Sequence, residues 1–141
     1  MDKQLVNRST ALQIALGATA TLAGLDKFFN LLTDWSSYLS PLVLNIVPVS
    51  AELLMRMVGL IEFGVGVCIL FAAPVLGTYI ASGWLLAVAA NLVVAGHFDV
   101  AVRDVVLAVA ALSLARSLEL QAIAPAYSES AELHRREVLS L

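Results

Sequence analysis

The sequence predicts an all-α fold: a four-transmembrane-helix up-down bundle with an interfacial segment between helices one and two. Three observations lead there. Hydrophobic types make up 60% of the 141 residues, charged types 13%, and mean hydropathy is +0.90. A soluble domain typically runs near 45–50% apolar and about 25% charged, and a globule of this size still leaves about a third of its chain's surface in water. Apolar runs then recur along the chain, and charges, prolines and glycines fall between or at the ends of them. The first partner implied is the lipid bilayer. With a net charge of -3 and no basic patch, no nucleic acid is expected. A single cysteine, Cys68, rules out an internal disulfide or a dithiol cycle within one chain. Two histidines, His97 and His134, are too few for a multi-histidine metal site, so no metal is expected.

A helix needs roughly 20 residues to cross about 30 Å of hydrocarbon. The first span reads as Ser9–Leu32. Its part from Ser9 to Leu25 is uncharged, and the extension to Leu32 takes Asp26 and Lys27 inside. A signal peptide is the competing reading, because Lys3 and Arg8 precede Ala18-Thr19-Ala20, which looks like a cleavage site. The apolar sequence continues past that site to Leu32, which favours a span. The connection Thr33–Ser50 holds Trp35 and Tyr38, suited to the membrane–water interface. Pro41 and Pro48 interrupt it, and Leu42–Val49 is too short to cross, so it reads as an interfacial or re-entrant turn.

From Phe63 to Gly96 there are 34 residues without a charge or a histidine. That is too long for one helix and slightly short for two with a loop. Pro74, with Ala72 and Ala73 before it and Gly77 after, marks the break. The second span is then Leu53–Ala72 and the third Leu76–Ala95, which carries Glu62 deep inside. The fourth is Asp99–Leu118. Its uncharged centre runs only from Val105 to Ala115, so Arg103 and Asp104 lie in the helix or at its mouth. Residues 1–120 form a single domain and 121–141 a polar tail that Pro125 breaks from the last span. A surface helix over Glu129–Leu139 and disorder are both open readings of that tail. Four spans put both termini and the Pro74 turn on one side. Lys3, Arg8, Arg116, Arg135 and Arg136 assign that side to the cytoplasm, and the expected location is a bacterial inner membrane.

On this topology Asp26, Lys27, Glu52, Arg56, His97, Asp99, Arg103 and Asp104 fall in the outer third of the bundle, with Glu62 near mid-span. Each charge costs about 2.5–3.5 kcal/mol at the bilayer centre, so pairing or water is required. Glu52 and Arg56 are spaced i, i+4, as are Asp99 and Arg103. Asp26 and Lys27 point to different sectors and are expected to reach other helices. Glu62 shares a stripe with Met55, Gly59 and Gly66, a place of close helix contact, and has no base three or four residues away. It is the leading functional candidate. The bland reading is a salt-bridge network that fixes register; the sharp one is a functional site. His97 reads as an interfacial histidine or a proton donor and acceptor. Trp84 reads as packing and Asn91, seven residues on, as an interhelical hydrogen bond.

The runs Leu22-Ala23-Gly24-Leu25-Asp26-Lys27-Phe28, Met57 to Gly66 and Asp99 to Ala108 resemble the DoxX-like family of small four-helix integral membrane proteins. The likeness covers about residues 10–118. Its signature is G-x-x-K in the first span, G-x-x-E-x-x-x-G in the second and R-D opening the fourth, in that order. Lys27, Glu62, Arg103 and Asp104 match the family's recurrent polar positions. The family is named for a subunit of a thiosulfate:quinone oxidoreductase, and related members look like membrane partners of redox enzymes. The resemblance therefore implies a redox-associated membrane subunit, at most one subunit of an oxidoreductase, with a quinone or small-molecule site in the outer half of the bundle. The chain has no motif for flavin, haem, iron–sulfur or nicotinamide, and no catalytic motif of its own, so a partner subunit would supply electrons. Glu62, His97, Asp104 and Lys27 would supply or position protons. The alternative is a non-catalytic structural or anchoring subunit of a larger complex or homo-oligomer. A small transporter ranks third, because four short helices leave little room for a pore and no inverted repeat is visible.

Overall fold

The computed structural model describes residues 3–139. Helix α1 is Lys3–Phe29, α2 is the short Pro41–Ile46, α3 is Ala51–Val67, α4 is Pro74–Ala95 and α5 is Phe98–Leu139. A 3-10 turn, Trp35–Tyr38, precedes α2, and a π turn, Cys68–Ala72, continues α3. No strand occurs among the described residues.

The element ends have local causes. α1 stops at Phe29, three residues short of the expected Leu32, because Asn30 takes a left-handed φ of 52°. Asn tolerates that conformation better than most residues. Ser40 and Ser50 cap α2 and α3, their hydroxyls accepting from the N–H of Val43 and Leu53 at 3.3 Å. In the π turn the N–H of Ala73 bonds to the carbonyl of Cys68 at 3.0 Å. That leaves the Ile69 carbonyl free of its usual partner, and Gln13 Nε2 on α1 donates to it at 2.8 Å. Pro74 opens α4 where its missing N–H costs nothing. Gly96, at φ 85°, closes α4, and the N–H of His97 reaches back to the Leu92 carbonyl at 2.8 Å. α5 runs on through Pro125, where the sequence predicts a break. Proline removes one helical hydrogen bond, and the alanines and Glu, Leu and Arg residues beyond it are strong helix formers.

The four long helices run up, down, up, down in chain order. α1 packs along α3 and α4 along α5, and these pairs meet through α1–α5 and α3–α4 contacts. The α1–α3 seam is set by glycine. A Cβ on Gly24 would lie 2.5 Å from the backbone N of Phe63, and one on Gly59 would lie 2.6 Å from the carbonyl oxygen of Gly24. At the end holding the Pro74 turn, Tyr79 donates to Glu119 at 2.9 Å and Gln121 donates to Ser9 at 2.9 Å, tying α5 to α4 and α1.

The burial pattern is inverted relative to a water-soluble bundle. Ala81, Ala89, Ala101, Ala108, Ala111 and Ala115 are buried, together with Thr78, Ser82, Asp26, Lys27 and Asp104. Leu22, Phe29, Leu60, Phe71, Val102 and Val106 are exposed. Among the described residues two segments are long and apolar enough to cross a membrane, Ala51–Ala72 and Pro74–Ala95, where the sequence predicts four.

Candidate functional site

Lys27 sits one turn beyond Gly24, so the close approach of α1 to α3 carries its side chain against Glu62. Lys27 Nζ lies 2.5 Å from Glu62 Oε2, with the two side chains 6% and 15% exposed. The same ammonium stands 3.9 Å from the centroid of the Trp35 ring, a further favourable contact for a cation. Trp35 is in turn fixed by Asp26, whose Oδ2 accepts from its Nε1 at 2.7 Å. Asp26 also accepts from the N–H of Leu31 and Leu32. It thus holds the turn after α1 and does not reach another helix, contrary to the sequence expectation. Sequence spacing could not show this, because Trp35 returns to Asp26 only after the chain has reversed.

Between the two helix pairs lies a cavity of about 700 Å³. Its walls come from all four long helices. Lys27, Glu62, Arg103 and Asp104 are the charged residues that line it among the described residues. These are the same four positions singled out by the family resemblance. Arg103 Nε is 3.5 Å from Asp104 Oδ1, with Asp104 buried and Arg103 largely exposed. The rest of the wall is mainly apolar, including Leu16, Val58, Val65, Ile69, Leu85 and Leu107.

The connection between α1 and α3 roofs this chamber through Trp35, Tyr38, Leu39 and Val43. Asn91 on α4 holds the roof: its Nδ2 donates to the Tyr38 carbonyl at 2.8 Å, and its Oδ1 accepts from the Ser40 N–H at 2.9 Å. Asn91 therefore bonds to the connecting segment and not to a neighbouring long helix. His97 packs against Tyr38 in a tilted arrangement with ring centroids 4.8 Å apart, and its Nε2 is 3.2 Å from the Ser37 carbonyl oxygen. It serves the roof from outside the chamber.

The remaining expected members are elsewhere. Glu52 and Arg56 form their predicted pair at 2.5 Å, but both are exposed and neither lines the chamber. Asp99 is exposed in the first turn of α5, and the predicted Asp99–Arg103 pair gives way to Arg103–Asp104. Glu62 has no base three or four residues away on its own helix, as expected, yet it is paired across the seam with Lys27. Trp84 lines the chamber too, and its buried Nε1 has no hydrogen-bond partner among the described residues. Its composition and spacing marked it only as packing. Among the described residues no group of three His, Cys, Asp or Glu could hold a metal ion.

The arrangement offers an apolar chamber with a charge-balanced polar wall under an aromatic roof. No protein-family model, curated protein or solved structure matches the chain.

Proposed function

We propose that this chain is an integral membrane protein that holds a lipophilic molecule of quinone type in the chamber between its helices, as the membrane subunit of a redox complex. The chamber carries the reading. Its volume of about 700 Å³ falls within the usual range for small-molecule sites, and its lining is apolar with a few convergent polar groups. Two further observations support it. The exposed Leu, Phe and Val surface suits lipid, and polar groups turned inward are tolerated there by pairing. The positive residues Lys3, Arg8, Arg116, Arg135 and Arg136 favour termini in the cytoplasm of a bacterial inner membrane.

The residues present fit such a group. The apolar wall accepts a ring and the start of a chain, while Lys27, Glu62 and Asp104 lie where protons would be held for its oxygens. A quinone, when bound, supplies two-electron, two-proton redox chemistry; the electrons come from the cofactor of a partner subunit. Trp35 and Tyr38 line the chamber on the side of the Lys27–Glu62 pair.

The test is purification in mild detergent, with identification of the quinones, lipids and proteins that remain bound. A retained quinone, and quinone-dependent turnover with the partner that is lost in Glu62→Gln, supports the reading. A chain that retains no quinone and a Glu62→Gln variant with unchanged turnover overturns it. The Lys27–Glu62 pair favours a second reading, a non-catalytic anchoring subunit. Each partner satisfies the other, and a buried pair of this kind can serve register alone.

A further inference from the structure

Trp84 Nε1 is the buried side-chain polar atom that the fold leaves without a partner among the described residues. An indole N–H is a donor only, and a buried donor that stays unpaired is costly relative to one that finds an acceptor. Lys27 is held by Glu62 and Trp35, and Asn91 by the backbone of the roof. Around Trp84 on α4, Ala81, Leu85 and Val88 line the same wall and offer no side-chain acceptor.

The charges on the wall also cancel. Lys27 faces Glu62 and Arg103 faces Asp104, so a bound anion or cation would meet no unbalanced counter-charge. An apolar chamber with balanced charges and a buried unpaired donor suits an uncharged lipophile that brings an acceptor. We infer that the Trp84 indole N–H donates a hydrogen bond to a carbonyl oxygen of an uncharged lipophilic molecule in the chamber, and that this bond selects a carbonyl head group. The inference rests on the chamber being a binding site and adds the residue and chemistry that would set its preference.

The test uses the full chain in detergent with three probes of equal chain length: a decyl-substituted benzoquinone, decylbenzene and decylbenzoate. The quinone is expected to bind and Trp84→Phe to weaken it about tenfold, the scale of one hydrogen bond, with decylbenzene unaffected. The charged benzoate is expected to compete poorly. Isotope-labelled indole resonances give a readout in the unmutated chain, which has two tryptophans. The Trp84 N–H signal is expected to move further on adding the quinone than on adding decylbenzene. A Trp84 signal moved no further by bound quinone than by decylbenzene, or an equal loss for quinone and decylbenzene in Trp84→Phe, makes Trp84 a packing residue and overturns the inference while the chamber reading stands. Benzoate binding as tightly as the quinone overturns the preference for an uncharged head. A chain that binds none of the probes overturns both the inference and the chamber reading.

Discussion

Lys27 and Glu62 show how two residues of opposite charge become tolerable in a low-dielectric interior. Together they are charge-balanced and in contact at 2.5 Å. Removing one leaves the other buried and uncompensated, an effect of about 3–5 kcal/mol. Glu62→Gln is therefore expected to lower thermal stability in detergent strongly, whereas the double variant Lys27→Met/Glu62→Leu recovers most of the loss. Melting curves of the single and double variants check this. The double variant also separates the two functional readings: retained assembly without turnover fits a working site, and retained turnover fits an anchor. Glu52→Gln removes a partner from an exposed pair and is expected to shift stability by less than about 1 kcal/mol in the same assay.

At the level of helices, the α1–α3 seam decides where those residues meet. Gly24→Ala would place a methyl 2.5 Å from the Phe63 backbone nitrogen and 2.6 Å from the Gly59 carbonyl oxygen, and neither is the end of a flexible side chain. The helices must part, so Gly24→Ala is expected to lower the melting temperature. Gly64 and Gly83 have open space where a Cβ would go, so Gly64→Ala and Gly83→Ala are expected to be neutral or to gain up to about 1 kcal/mol through helix propensity. The roof is a separate element with its own fastening. Asn91→Leu removes two hydrogen bonds to it and leaves the Ser40 N–H without its acceptor, at a cost of about 1–3 kcal/mol. Hydrogen exchange at residues 36–40 is expected to rise, with the centres of α3 and α4 unchanged.

Across the whole molecule many small residues lie in the core beside a few bulky ones such as Ile69, Leu92 and Leu114, and many bulky apolar side chains are exposed. On the proposed topology, both termini share a side and the roof lies opposite. In a Cys68→Ala background, Ser37→Cys is expected to react with a membrane-impermeant maleimide in intact cells, and Arg135→Cys only after permeabilisation. Both positions are exposed. Labelling of both from outside would contradict the orientation.

The two central helices followed from composition and punctuation: Pro74 and the length of the uncharged stretch placed them to within a few residues of Ala51–Ala72 and Pro74–Ala95. That signal is local, because a proline lacks its N–H wherever it stands. The start of α1 at Lys3 and the run of α5 to Leu139 were not legible in this way. The pairing of the charges was only partly legible. Glu52–Arg56 follows from helical spacing. Spacing also suggested Asp99–Arg103, and there the side chain of Arg103 turns to its neighbour Asp104. Lys27–Glu62, Asp26–Trp35 and Asn91 with the Tyr38 carbonyl join residues 35, 9 and 53 positions apart. Such contacts depend on how closely helices approach and where the connecting chain folds back. The residues alone made this an apolar helical chain with rare, informative charges. Packing decided which of those charges face a common chamber, because the glycine seam and the bonded roof bring Lys27, Glu62, Trp35 and Trp84 around one space.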